Sequence, residues 1–421
     1  MARKGIREYD AKRILAKALA DQPAQVALVS PEGRLTSMVG DHPWLKDHRL
    51  VVKPDQLFGK RGKHGLIAVD LDLAAADAWI EKRAGTEVTV GSITGTLTHF
   101  LVEPYRPHEM EYYAAMRTTM EGDRIYLSAK GGVDVEENWD QVTTLEIPVG
   151  SDLDRAALRS RAADLFANEH VELMARWVAD LYDLFVQGHF AYLEINPLTI
   201  VNGVVHPLDT VAKVDDTAEF EARDVWGDLE FPTPFGRSFS PEEQHIADLD
   251  ARTGASLKLS ILNPDGIIWT MVAGGGASVI YADTISDLGH GHELANYGEY
   301  SGNPNREMTH QYAVTILDLM TRNKDPKGRK KVLLIGGGIA NFTDVAKTFT
   351  GIIEALREYA SKLRRIGVEI YVRRGGPNYK TGLKLMRALG DELDLPIHVY
   401  GPETHMTHIV TLSLQHMGGA Q

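Results

Sequence analysis

The period of the apolar positions changes along this chain and divides it in two. Up to about residue 225, short apolar runs predict strands near residues 25–29, 50–53, 66–69, 97–103, 124–129, 192–195 and 204–208. Helical spacing appears near residues 10–20, 74–82 and 154–187. Strands and helices mixed this way predict an α+β arrangement without a regular βαβ repeat. Trp226 to Pro241 then holds three prolines and two glycines without periodicity, which marks a crossover between domains 1–240 and 241–421. Beyond it, strands near 267–273, 332–336, 368–373 and 397–400 alternate with helices near 276–287, 308–321, 342–365, 380–390 and 404–416. That alternation predicts an α/β, doubly wound parallel sheet of flavodoxin or Rossmann type, with ligands at the carboxyl ends of its strands.

The most informative stretch is Lys330 to Thr343, KKVLLIGGGIANFT. Its apolar run, Val332 to Ile335, breaks into three glycines and then into Val345, Phe349, Ile352, Ile353 and Leu356 at helical spacing. Backbone N–H groups at such a helix start can hold an anion, and the Asn341 and Thr343 side chains add neutral donors. Arg373 and Arg374, before Gly375-Gly376-Pro377, supply planar forks suited to carboxylates. Together they predict a pocket for a small polycarboxylate. Met271 to Ile285 is a second strand, glycine turn and helix, in which Gly274, Gly275, Gly276 and Ala277 offer N–H groups to an anion. A dinucleotide site is disfavoured there, because GGGAS lacks the G-x-G-x-x-G pattern.

In the first half, Lys53 ends a strand and Lys60 to Gly65 forms a basic, glycine-flanked turn. Such a turn is either solvated surface or a cover for a triphosphate, and it contains no Walker A pattern. Asn196 and Asp209 are expected on adjacent strands of a hairpin turning at Asn202-Gly203. They either cap turns or offer hard oxygens to one magnesium ion.

A net charge of -13, from 45 basic and 58 acidic residues, argues against nucleic-acid or anionic-membrane surfaces, so any anion site must gather its cations locally. With no cysteine there is no disulfide, thiolate nucleophile or cysteine-based zinc site, which fits a reducing compartment. The N-terminal stretch has charges interrupting every apolar run and no signal-peptide core, and no run approaches the roughly 20 apolar residues that span a bilayer. The expected location is cytoplasmic.

GGGIANFT, RRGGPNY, LANYGEYSG and GPETHMT closely resemble the citrate-binding domain of ATP-citrate lyases. Upstream, LVVKPDQL, VEPY, GGVDVE, YLEINPL and WGDLEF resemble the ATP-grasp domain that this family shares with the succinyl-CoA synthetase β subunit. The resemblance runs colinearly from about Asp41 to the C-terminus. It implies ATP contacts at Lys53, Arg61, Gly62, Pro104, Arg106, Glu111 and Asp209, with Arg106 serving through its backbone. It implies Mg2+ at Asn196 and Asp209, and a second cation site at Asp250, Thr253 and Ala255, although a helix cap explains Asp250 equally well. Citrate contacts are implied at Gly302, Asn341, Thr343, Tyr359 and Arg374, while Arg373 is open to a structural ion pair. The glycines at 274–276 and Ala277 would face a phosphohistidine, and Glu194 would orient it.

No GHAGA-like histidine loop occurs in the sequence, and His290, His292 and His405 have the setting of surface groups. The resemblance therefore implies a hetero-oligomer. A second subunit would carry the CoA-binding segment, the phosphohistidine and a citrate-synthase-like domain. The rival readings are the large subunit of a citryl-CoA synthetase, a succinyl-CoA synthetase-like ligase, and a non-catalytic citrate- or nucleotide-sensing module.

Overall fold

The structure, a computed structural model, describes residues 3–19, 24–132, 135–252 and 254–417. The chain divides into two compact units, Met1–Ser238 and Phe239–Gln421.

The first unit is α+β. Its larger sheet places the strands Arg3–Ile6, Thr210–Asp215, Phe190–Val201, Tyr112–Thr118, Gly122–Ser128 and Thr143–Pro148 side by side, with Val204–Pro207 paired to Phe190–Val201. Every strand pairing in this sheet is antiparallel among the described residues. The helices Glu8–Leu19 and Val171–Gln187 cover one face, packing Ile14, Leu15, Met174, Val178 and Phe185 against Met116, Leu193 and Val214. A smaller sheet orders Ala27–Val29, Phe100–Pro104, Leu50–Pro54 and Ala68–Leu71 and has its own core around Leu35, Val52, Ile80 and Phe100. The single helix expected over 154–187 is two, Arg155–Leu165 and Val171–Gln187. Phe166 leaves the helical path with extended backbone and packs its ring 5.3 Å from Tyr112. Tertiary burial of one aromatic thus overrides helical periodicity. Tyr112–Thr118 escaped the pattern because its first five residues are all buried, which removes the alternation that identifies a strand.

The second unit is the doubly wound sheet. Ile268–Ala273, Lys331–Gly337, Val368–Arg373 and Ile397–Tyr400 run parallel in that order. Successive side chains go to opposite faces. Trp269, Met271, Leu333, Ile335, Ile370 and Val372 meet the helices Arg306–Thr321, Val345–Ile366 and Tyr379–Leu393. Ile268, Val272, Val332, Leu334 and Tyr371 meet Gly275–Asp287 and His408–Met417. A ribbon missed by periodicity, Ser256–Ile261 paired with Asn296–Ser301, lies beside the first parallel strand. The buried Asn296 amide completes that seam, exchanging hydrogen bonds with the Thr270 N–H and C=O, both at 2.9 Å.

Candidate functional site

In the first unit the expected phosphate contacts come together around a carboxylate that periodicity did not single out. Lys12, Lys53 and Arg61 converge on Glu8, at 2.9, 2.7 and 2.6 Å. Glu103 pairs with Lys53 at 2.9 Å, Arg61 also reaches Asp209, and the Leu208 carbonyl accepts from Lys53 at 2.6 Å. Lys53 at its strand end and Arg61 in the basic turn are therefore buried and paired, so the solvated-surface alternative does not hold for Arg61. Buried cations without anions would cost several kcal/mol each, so the fold brings in acids from distant segments. Burial pushes the Glu8 carboxyl up, but Lys12, Lys53 and Arg61 together hold it well below the usual range. Asp55 accepts the Glu8 and Tyr9 N–H groups at 2.9 and 3.0 Å, anchoring the helix that carries Glu8, and burial with the nearby Glu8 raises it to about 6. The only sequence hint of this cluster was the helical spacing of Glu8 and Lys12.

Asn196 and Asp209 meet across the hairpin as expected. Asn202 and Gly203 both have positive φ, 52° and 73°, and the Asn196 N–H donates to the Asp209 carbonyl at 3.0 Å. Asn196 Oδ1 accepts the Gly132 N–H at 2.7 Å. The Asp209 side chain is 30% exposed; one oxygen takes Arg61 and the other has no hydrogen bond from the described residues. Burial and Glu8 raise this carboxyl against the pull of Arg61 and Lys53, so a cation at its second oxygen would be favoured. An amide oxygen and a half-open carboxylate fit magnesium, which takes few protein ligands and fills its shell with water and phosphate.

Glu194 lies on the same strand face as Asn196. The Tyr113 and Tyr192 hydroxyls donate to it; burial and the Glu194 charge push both phenols up. Neither tyrosine was expected, since one lies on the strand the periodicity missed. Glu111 sits close by, its backbone carbonyl accepting the Gly131 N–H at 2.8 Å and its carboxylate 3.2 Å from His108. Gly62 holds the turn after Arg61, its carbonyl accepting the Gly65 N–H at 3.1 Å. Pro104 and Arg106 border a cavity of about 920 Å³ that Lys12, Glu103, Trp177 and Leu208 also line. The Arg106 side chain turns to Gln25 at 2.8 Å.

In the second unit, the helix after the triple glycine starts at Val345, three residues later than expected. Asp344 caps it, accepting the Lys347 N–H at 3.0 Å, so that helix end already has its anion. The groups left open belong to the loop before it, where Asn341 and Thr343 make no side-chain hydrogen bond to the described residues. RRGGPN fastens this loop: the Ala340 N–H donates to the Gly375 carbonyl at 2.9 Å, and the Val345 N–H to Pro377 at 3.0 Å.

The two arginines divide. Arg373 donates to the backbone carbonyls of Gly337, Pro402 and Thr404 and makes no ion pair among the described residues, correcting the structural-pair expectation. Arg374 is 5% exposed, donates once to the Gly338 carbonyl at 2.8 Å, and faces no carboxylate among the described residues; burial lowers its pKa. Tyr359 is not brought to the start of the helix that follows this loop. It lies about 21 Å along the helix from Val345 at 1.5 Å per residue, its hydroxyl 3.4 Å from Asp318. Helical periodicity cannot bring positions so far apart onto one small ligand.

Gly302, with φ of 72°, turns tightly against Ala255, 3.1 Å from where a Cβ would stand. Asp250 is not an N-cap: from the last turn of Pro241–Arg252 it accepts the Leu257 N–H at 2.7 Å and pairs with Lys258 at 3.0 Å. Thr253 lies outside the described residues. Gly274 to Ala277 form an uncapped helix start, with the Glu299 carboxylate beside Gly275. His290 pairs with Glu293 at 2.7 Å and His405 with Thr407 at 2.9 Å, as expected of surface groups. Among the described residues no helix is long and apolar enough to cross a membrane.

The fold and these residues define an ATP-grasp unit joined to an α/β unit whose glycine loop lies beside a buried arginine that faces no carboxylate among the described residues. A family model described as the ATP-citrate synthase ATP-grasp domain matches residues 2–226, and one described as ATP citrate lyase citrate-binding matches 237–416. The chain belongs to the ATP-citrate lyase family. It is 51% identical to ATP-citrate synthase alpha chain protein 2 of Oryza sativa subsp. japonica, the alignment covering 99% of each chain. It is 48% identical to ATP-citrate synthase of Homo sapiens, over 99% of this chain and 38% of that longer protein. Among solved structures it resembles ATP citrate lyase from Methanothrix soehngenii in complex with citrate and coenzyme A, with TM-score 0.90 and 52% identity over 98% of this chain and 100% of that one.

Proposed function

We propose that this chain is the nucleotide- and citrate-binding subunit of a two-subunit ATP-citrate lyase, acting in the cytoplasm within a hetero-oligomer. The overall reaction is ATP + citrate + CoA to ADP + phosphate + acetyl-CoA + oxaloacetate. The observation that carries the reading is Arg374, a buried guanidinium with one backbone contact and, among the described residues, no carboxylate, beside a glycine loop whose Asn341 and Thr343 side chains engage none of those residues. A polycarboxylate supplies the charge this pocket lacks. In the nucleotide unit, residues 1–240, Lys53 and Arg61 would exchange carboxylate partners for phosphates, while Pro104, Arg106 and Glu111 border the nucleoside. Asn196 and Asp209 would hold magnesium, which neutralises phosphate charge when bound. Glu194, steadied by two tyrosines, would accept the second ring N–H of a partner-subunit histidine and orient it as it takes the γ-phosphoryl group. The phosphohistidine would then serve citrate in residues 241–421, giving citryl phosphate and then citryl-CoA. Gly274 to Ala277 would face its phosphate. The alpha-chain naming of the full-length rice relative supports a separate partner carrying CoA-binding and cleavage functions.

Calorimetry on the purified chain tests this. It should bind Mg-ATP and citrate but form acetyl-CoA only after the partner chain is added. Failure to bind citrate, or CoA-dependent turnover by the chain alone, overturns the reading.

A further inference from the structure

Three buried polar atoms that meet no hydrogen-bond acceptor or donor satisfying them among the described residues gather at the carboxyl edge of the parallel sheet: Arg374 Nε and the hydroxyls of Tyr281 and Tyr300. The residues are 5%, 0% and 2% exposed. They arrive from separate elements, the strand end at Arg373, the helix Gly275–Asp287 and the ribbon strand Asn296–Ser301. Adjacent glycines admit two of them. A Cβ on Gly336 would stand 2.6 Å from the Tyr281 hydroxyl, and one on Gly337 would stand 2.5 Å from Arg374 Nη1. Tyr300 lies two residues before Gly302 and feels the Arg374 charge.

A buried hydroxyl or guanidinium N–H left unpaired is costly, and native proteins seldom leave several in one place. Two phenols beside a guanidinium that lacks an anion are matched by an anionic oxygen. We infer that Tyr281 and Tyr300 donate hydrogen bonds to the same ligand carboxylate that Arg374 binds, making the inner end of the polycarboxylate pocket a three-donor site. The inference rests on the citrate reading above and adds the residues that receive one carboxylate in a water-poor place. Burial pushes the Tyr281 phenol up to about 12, against the lowering by the two arginines and by the Gly337 N–H, which faces the oxygen and leaves the O–H proton without an acceptor among the described residues, so it remains a donor at neutral pH. The other carboxylates stay with the open loop at Asn341 and Thr343.

The experiment measures citrate and tricarballylate, which keeps three carboxylates but lacks the hydroxyl, by calorimetry on the full chain, Tyr281→Phe and Tyr300→Phe. Melting temperatures are recorded without ligand. Each variant should lose roughly 10-fold or more in affinity for both ligands, as expected for a hydrogen bond to a charged group. Each should melt at or above the parent temperature without ligand, because an unpaired buried hydroxyl has been removed. If the parent binds citrate and both variants bind within about twofold of it, the hydroxyls do not touch the ligand and this inference alone falls. A loss for citrate only would move the contact to the ligand hydroxyl and overturn the carboxylate assignment. Lower ligand-free melting in both variants would mean the hydroxyls already have partners inside the protein, which also overturns it. A parent that binds no citrate removes the functional reading along with it.

Discussion

Arg373 and Arg374 are neighbours of one residue type, and their different surroundings give them different roles. Arg373 is satisfied by three carbonyls and ties the Gly401–Thr404 turn to the Gly337 strand end, whereas Arg374 retains donors for a ligand. Arg374→Ala should weaken citrate binding roughly 10- to 150-fold, from the 1.5–3 kcal/mol of a charge-assisted pair. Arg374→Lys should recover little, since an ammonium keeps the charge but loses the planar fork. Calorimetry on both variants checks this, and near-parental affinity in Arg374→Ala would make the arginine structural. The resemblance assigned only Arg374 to citrate and left Arg373 open to an ion pair; that carbonyls satisfy Arg373 instead was not legible, because they lie about thirty residues or more away along the chain.

At the scale of elements, the strand Lys331–Gly337 sets the pocket by ending in residues without side chains. Gly336 leaves room for the Tyr281 ring, whose Cζ stands 2.4 Å from where a Cβ would be. Gly336→Ala should therefore destabilise the unit by about 1–3 kcal/mol through overpacking, and should lower citrate affinity by displacing the ring and Arg374 beside it. Thermal unfolding together with citrate titration checks both effects; an unchanged melting temperature would show that the ring has room to move. The glycine turn was legible as a break in an apolar run. Its role as a seat for Tyr281 was not, because helix and strand meet only when the sheet is wound. The helix start after it was misplaced for a related reason: Asp344 and Asn378, 2.8 Å apart, fix where the loop ends, and periodicity carries no information about a cap made across two segments.

For the whole molecule, the nucleotide and citrate residues belong to units with separate cores. Asp209→Asn should impair Mg-ATP binding, since it removes the half-open carboxylate and the partner of Arg61, while citrate affinity stays within about twofold of the parent as expected for groups that share no partners and belong to separate cores. Titrating one preparation with both ligands checks it. A parallel loss of citrate binding would mean that the two units do not act independently.

The sequence by itself determined the two-unit plan, the parallel sheet of the second unit, the hairpin that brings Asn196 to Asp209, and the glycine turn and arginine pair at the carboxyl ends of that sheet. All of these are written in local periodicity, turn chemistry or contiguous motifs. Tertiary structure alone decided that Lys53 and Arg61 are buried against Glu8, that Tyr113 and Tyr192 hold Glu194, that Tyr359 stands apart from the loop, and that Tyr281 and Tyr300 flank Arg374. The physical reason is common to them. A buried charge or hydroxyl must be matched by whatever the folded chain brings near it, and apart from Tyr192, a strand neighbour of Glu194, those partners come from segments tens to more than a hundred residues away, where no local pattern records the pairing.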